Sequence, residues 1–318
     1  MSLIWSRWHQ KIKQRINLIR KTNWTTDNIP DQSGRVVIIT GANSGIGFEA
    51  AKALTAKNAL VILAVRNQSK GEAAAAHIAS EVPGAKLSVH MLDVANLASV
   101  KAFADKMKAD YKQLDLLINN AGIMVPPYGK TVDGFESQFG TNHLGHFTLT
   151  AQLYDLLKST SNSRIVNVSS NAHKMGKINL DDLNWENRKY VSWTAYGDSK
   201  IANLYFTYEL ARKIQAAGHH VMVTAAHPGL TSSNLAKGAG IRFFNSLFAQ
   251  SGSMGALPTL MAATDPSAKN GDYFGPSKLS GWRGYPKRVF SNKASHDTDI
   301  AARLWEISQD MTQVKFQV

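Results

Sequence analysis

Hydrophobic positions along this chain fall into short unbroken runs separated by longer stretches in which apolar residues recur every three or four positions. The runs at 35–40 (RVVIIT), 60–65, 86–92, 115–118, 164–168 and 221–225 are near-continuous, the pattern of strands covered on both faces. The intervening spacing predicts helices over 45–56, 70–81, 97–111, 134–158 and 193–217. Strand and helix alternating in this way predict an α/β fold: a single Rossmann-type doubly wound parallel sheet with helices on both faces. After Pro228 the pattern becomes irregular and aromatic, with Ile241, Phe243, Phe244, Leu247 and Phe248 close together. In this architecture such a segment hangs over the carboxyl edge of the sheet, where ligands bind, and reads either as a substrate lid or as a plain packed helix.

The N-terminus follows another rule. Ile4, Trp5, Trp8, Ile12, Ile16 and Ile19 recur at helical steps among Arg7, Lys11, Lys13, Arg15, Arg20 and Lys21, which describes a basic amphipathic helix. Interspersed charge excludes a signal peptide, and no apolar run approaches the roughly 18 residues that spanning needs. Two readings stay open for residues 1–24: packing on the domain or on a second subunit, or peripheral contact with a membrane surface. A polar, turn-rich stretch at 25–34 links this helix to the rest, dividing the chain into an extension and linker at 1–33 and a domain at 34–318.

Composition changes the picture less. The net charge is +13, but Lys and Arg are spread along the chain, which reads as a solvated surface rather than a nucleic-acid face. With no cysteine there is no disulfide framework, thiolate nucleophile or thiolate metal site, and a reducing, cytoplasmic setting is compatible. The expected partner is a small molecule; a homo-oligomer stays open.

Candidate chemistry concentrates at two places. Between the first run and the first helix, TGANSGIG places Gly41, Gly45 and Gly47 where a pyrophosphate needs bare backbone N–H groups and the positive end of a helix, with Asn43, Ser44 and Ile46 in the same turn. The second run ends in Val65 and Arg66, where a free ribose 2′-hydroxyl would call for an acidic residue; an arginine there pairs with a 2′-phosphate, favouring NADP(H) over NAD(H). Farther on, Tyr196 and Lys200 stand four apart and share a helix face, so the ammonium can stabilise a phenolate. Tyr154 and Lys158 repeat the pattern, but precede the fifth run, where an ordinary helix surface is expected. His143 and His146 have a spacing that could suit a metal, yet no third ligand accompanies them, so packing or a buried hydrogen bond is the expectation and no metal site is assigned.

Taken in order, these motifs resemble those of the short-chain dehydrogenase/reductase family. The glycine turn comes first, then Asp93 and Val94 bordering the adenine, then the block Asn119 to Gly122 (NNAG), with Asn120, Ala121 and Gly122 beside the cofactor. The resemblance places the catalytic Asn, Ser, Tyr and Lys on Asn142, Ser170, Tyr196 and Lys200, with Pro228, Gly229 and Thr231 near the nicotinamide. It implies hydride transfer between the nicotinamide and a carbinol or carbonyl carbon. Tyr196 would exchange the proton, Ser170 orient the oxygen, Lys200 lower the Tyr196 pKa and hold the ribose, and Asn142 fix a water linking Lys200 to solvent. The wording NHLGHF, RGYPKRVF and RLWEIS is similar to the retinol dehydrogenase-like branch, which implies a lipophilic, retinoid-like substrate. Light-dependent protochlorophyllide reductases share some of this wording but depend on cysteine, which is absent. The 26 positions from Ser170 to Tyr196 imply an inserted substrate-side loop carrying His173, Lys174, Trp185 and Tyr190. A rival reading, a sensing or scaffold protein that binds NADP(H) without turnover, predicts a lost catalytic residue, and none is lost.

Overall fold

Eight strands form one sheet in the order β3-β2-β1-β4-β5-β6-β7-β8 in a computed structural model that describes residues 23–231 and 249–318. Residues 1–22, which hold nearly all of the basic amphipathic pattern, and the aromatic segment 241–248 lie outside the described residues. Strands β1 (Val36–Thr40), β2 (Leu60–Val65), β3 (Lys86–Met91), β4 (Leu116–Asn119), β5 (Arg164–Val168), β6 (Met222–Ala226) and β7 (Tyr273–Lys278) run parallel. Strand β8 (Arg283–Val289) returns antiparallel to β7.

Alternation along the strands divides the core. Val36 and Ile38 of β1 and Ile62 and Ala64 of β2 face one apolar layer; Val37, Ile39, Val61 and Leu63 face the other. Helices α3 (Leu97–Asp110), α4 (Gly145–Lys158) and α5 (Ser192–Ala216) close the first layer through Phe103, Phe147, Leu153, Phe206 and Leu210. Helices α1 (Gly45–Thr55), α2 (Gln68–Glu81) and α6 (Gly252–Thr264) close the second through Leu54, Ile78 and Leu260. Each fully buried aliphatic side chain is worth about 1.5–3 kcal/mol, so strands apolar on both sides are held only with both layers in place. Helix α7 (Thr298–Thr312) docks Trp305 on the first layer, where its ring stacks on Phe316 at 4.8 Å. Among the described residues no helix is long and apolar enough to cross a membrane.

The structure departs from the sequence expectations in three places. The helix expected over 134–158 is broken: Glu136 accepts hydrogen bonds from the amides of Gln138 and Phe139, a short turn follows, and Gly140–Leu144 winds as a π-turn before α4 begins. The region after Pro228 is not irregular beyond residue 250, because α6, β7, β8 and α7 lie there. The sheet is parallel only as far as β7.

Between β1 and β4 the strand order reverses, and the carboxyl ends of neighbouring strands diverge there into a crevice. The sequence-predicted site residues fall around it.

Candidate active site

Strand β1 ends at Thr40, and the chain turns into α1 through Gly41 and Gly45, both left-handed at φ 67° and 57°. A Cβ on Gly47 would lie 2.6 Å from Asn120 Nδ2 and 2.7 Å from Gly41 O, so the helix start is pressed against the end of β4 and tolerates no side chain there. Gly45 faces open space. Ser44 caps α1 in extended conformation, and the first-turn amides, which no helix satisfies internally, point outward with the helix dipole behind them. A pyrophosphate fits this bare cradle. Asn43 lies in the turn, and Ile46 packs on the second core layer. Arg66 is exposed directly after β2, where Asn67 caps α2 by accepting from the Lys70 amide at 2.9 Å. Asp93 is fixed after β3 by accepting from the Ala95 amide (3.0 Å) while its own amide donates to Ser99 Oγ (2.9 Å), and Val94 is buried beside it.

Thr40 joins the turn to the NNAG block. Its hydroxyl oxygen accepts from the amides of Asn120 (2.9 Å) and Ala121 (2.8 Å), and its carbonyl accepts from Asn120 Nδ2 at 2.8 Å. Asn119 turns inward, donating to Thr150 Oγ1 (2.9 Å) and Asn167 Oδ1 (2.8 Å), so a buried polar chain crosses from α4 to β5. The block thus supports the central sheet with one asparagine and the crevice with the next.

The π-turn carries Asn142, fully buried. One extra residue per turn frees backbone groups and re-aims side chains, and such turns often mark functional positions. Asn142 Oδ1 accepts from the Ile123 amide (2.8 Å), and its Nδ2 donates to Ile123 O (3.0 Å) and Ser199 Oγ (2.9 Å). A Cβ placed on Gly122 would meet Asn142 Oδ1 at 2.9 Å and Lys200 Nζ at 3.5 Å, so three of the sequence-predicted residues converge there.

Ser170 follows β5 and caps the next short turn, its hydroxyl oxygen accepting from the Ala172 amide at 3.2 Å. Helix α5 brings Tyr196 and Lys200 in on one face, 7% and 5% exposed. Lys200 Nζ lies 5.6 Å from the centre of the Tyr196 ring and donates to Val168 O at 3.3 Å. Burial pushes the Tyr196 hydroxyl up to about 12, and hydrogen bonding with Ser170 pulls against it. The same burial brings the Lys200 ammonium down to about 8. Desolvation is the largest influence on the phenol, and the Lys200 ammonium is turned toward its ring and a backbone carbonyl.

After β6, Pro228 O accepts from Gln250 Nε2 (2.8 Å) and Thr231 Oγ1 (3.1 Å). Gly229 is left-handed (φ 71°), and a Cβ there would stand 2.4 Å from Trp282 O.

The second tyrosine–lysine pair does not lie on an ordinary helix surface. Tyr154 is 1% exposed in the first core layer, its hydroxyl 2.9 Å from His219 Nδ1, with Lys158 paired to Asp155 at 3.4 Å. The two histidines of α4 and its π-turn carry buried hydrogen bonds: His143 Nε2 to Ser308 Oγ at 2.9 Å, and His146 to both Thr40 Oγ1 (2.9 Å) and Asn142 O (3.1 Å). Burial holds both imidazoles neutral, near about 3 and about 4. His146 therefore ties the glycine turn to Asn142. The sequence showed it only as half of a spacing, and the sole signal for this role was its place four residues after Asn142. In the inserted loop, Trp185 is buried under Arg188 (3.5 Å above the ring), Tyr190 donates to Glu136 Oε1 (2.9 Å), and His173 Nε2 accepts from the Asn292 amide (3.2 Å). Lys174 is exposed.

Residues 35–241 match the family model described as short chain dehydrogenase. Retinol dehydrogenase 12 of Mus musculus is 40% identical over 291 residues, 89% of this chain and 88% of that protein. Retinol dehydrogenase 13 of Homo sapiens is 41% identical over 284 residues, covering 86% and 82%. Among solved structures, an uncharacterized protein from Mycobacterium Paratuberculosis superposes with a TM-score of 0.80 at 42% identity, covering 93% of this chain and 100% of that one. A protein assigned as a short chain dehydrogenase from Escherichia coli CFT073, in complex with NADPH, superposes with a TM-score of 0.60 at 25% identity over 76% of this chain and 97% of that one.

Proposed function

From the premise that this chain belongs to the short-chain dehydrogenase/reductase family, and is therefore an oxidoreductase of CH–OH groups, we propose that it interconverts an alcohol with an aldehyde or ketone using NADP(H). The observation that carries the reading is the convergence of half-buried Ser170 with buried Tyr196 and Lys200 at the carboxyl edge of the sheet that also holds the glycine turn. The domain at 34–318 does this work.

NADP(H), when bound, supplies or accepts the hydride. The turn at Gly41, Asn43, Ser44, Gly45, Ile46 and Gly47 takes its pyrophosphate on helix amides, Arg66 pairs with the 2′-phosphate, and Asp93 and Val94 border the adenine. Asn120, Ala121 and Gly122 line the crevice, while Pro228, Gly229 and Thr231 stand by the nicotinamide. In the direction of reduction the Tyr196 hydroxyl gives its proton to the carbonyl oxygen as that oxygen gains charge, and Ser170 holds the same oxygen. A phenol raised to about 12 is fully protonated before the step and ready to donate. Lys200 supplies positive charge at a buried position, where charge acts more strongly than in water, and it lies with Asn142 around Gly122. The NADPH complex of the Escherichia coli relative agrees with the cofactor. The retinol dehydrogenase names of the relatives favour a lipophilic, retinoid-like substrate.

The test is NADPH consumption by the purified chain with retinal and short aliphatic aldehydes side by side. NADPH binding with no consumption on any of them would move the chain to the class that binds without turnover. Arg66→Asp should raise the KM for NADPH by about tenfold, the value of one charge-assisted pair, and shift preference toward NADH; an unchanged KM removes Arg66 from the assignment.

A further inference from the structure

The hairpin joining β7 to β8 was invisible in the sequence, and its turn is tied to the loops that carry Ser170 and Gly229. Its turn, Leu279 to Trp282, is clamped from two loops at once. Asn171, the neighbour of Ser170, donates from Nδ2 to Gly281 O at 3.0 Å, and the amide of Leu230, the neighbour of Gly229, donates to Trp282 O at 2.7 Å. A third tie runs through Gln250, which donates to Pro228 O (2.8 Å) and accepts from the Gly284 amide (3.0 Å). The turn is therefore placed as rigidly as Ser170 and Gly229 themselves.

Two features of this turn call for explanation. Leu279 and Ser280 both adopt the left-handed conformation, φ 49° and 53°, although neither is glycine. Such residues cost about 1–3 kcal/mol each and persist where their surroundings over-determine them, clustering at active sites, ligand clamps and switch regions. The strained backbone also presents apolar surface: Leu279 is 67% exposed and Trp282 45%. A third apolar group, Trp193, is 45% exposed at the start of α5, with its ring 6.4 Å from and edge-on to that of Tyr196. Large apolar side chains are thus left bare on the turn tied to Asn171, the neighbour of Ser170, and beside Tyr196 itself.

We propose that the β7–β8 turn, through Leu279 and Trp282 together with Trp193, is the wall that binds the hydrocarbon chain of the substrate and selects long apolar carbonyl compounds over short ones. The inference rests on the carbonyl–alcohol reading above. The polar end of the molecule meets Ser170 and Tyr196, and the tail lies against groups that water otherwise covers. Burying a single leucine and part of an indole accounts for selectivity without any polar contact.

Two substitutions test it. Leu279→Gly deletes the side chain and relieves the left-handed strain, so folding is not endangered, and Trp282→Ala deletes the indole. Each should lower kcat/KM for decanal relative to propanal by about five- to tenfold and weaken decanol binding, measured by calorimetry with NADP+ present, by a similar factor. Trp282→Phe should recover most of both. If the ratio and the decanol affinity both stay within about twofold of wild type, the wall is not there. A chain that consumes NADPH with neither aldehyde refutes the carbonyl–alcohol reading, while the decanol measurement still decides the wall. Altered sedimentation with unchanged decanol affinity assigns the apolar turn to a second copy and overturns the proposal.

Discussion

Tyr196 and Lys200 carry the same four-residue pattern as Tyr154 and Lys158, and the two pairs differ in what surrounds them. Both tyrosines are buried, and burial pushes both hydroxyls up to about 12. Tyr154 lies among Phe147, Phe316 and Leu157, answers to His219, and its lysine reaches solvent and Asp155. Tyr196 faces Ser170, and its lysine is buried and donates to Val168 O. A tyrosine in a raised state is thus no signature by itself. What separates the pairs is the lysine: a cation stripped of water beside one ring, and a solvated one beside the other.

The largest effect should come from breaking the first pair. Tyr196→Phe is expected to lower turnover by about 10²–10⁴-fold, the usual worth of a positioned proton donor, with NADPH affinity far less affected. Activity close to wild type would sink the assignment. Next, Lys200 loses its proton near pH 8, because burial has lowered it from its ordinary value. Below that pH the ammonium is charged and the rate is at its plateau; above it the rate should fall by about tenfold per pH unit. In Lys200→Arg, whose cation persists above pH about 12, the residual rate should lose that alkaline limb. A limb that survives the substitution belongs to another group. The smallest effect should come from the second pair: Tyr154→Phe breaks one bond to His219 and should cost about 1 kcal/mol in urea unfolding while leaving turnover unchanged. A loss of turnover there would erase the contrast.

The central parallel strands were legible because each is a near-continuous apolar run, the pattern of a doubly covered strand. Tyr196 was singled out by its place after the fifth run and at a helix start, whereas Ser170 came only from the family resemblance. Elsewhere local rules conflicted with the fold. Pro258 sits inside α6, Pro276 inside β7 and Pro286 inside β8, and each ordinarily argues against its element. The π-turn at Asn142 reads as continuous helix because a single inserted residue barely disturbs the apolar spacing. The ties of Asn171, Gln250 and Leu230 to the β7–β8 turn join positions up to 110 apart, and no local pattern announces them.

The paired prolines of the hairpin have an effect beyond the site. Pro276 and Pro286 face each other across β7 and β8, and since Phe274 O accepts from β6, their position in the ladder is one that exchanges no hydrogen bonds between the two strands. The missing donor of Pro286 therefore falls on the outer rim of the sheet, the Gly284 amide is already taken by Gln250, and Lys287 and Arg288 bring charge to the same rim. A foreign strand laid along this border would find few amides to grip, so the β8 edge of the sheet resists the edge-to-edge pairing that leads to aggregates.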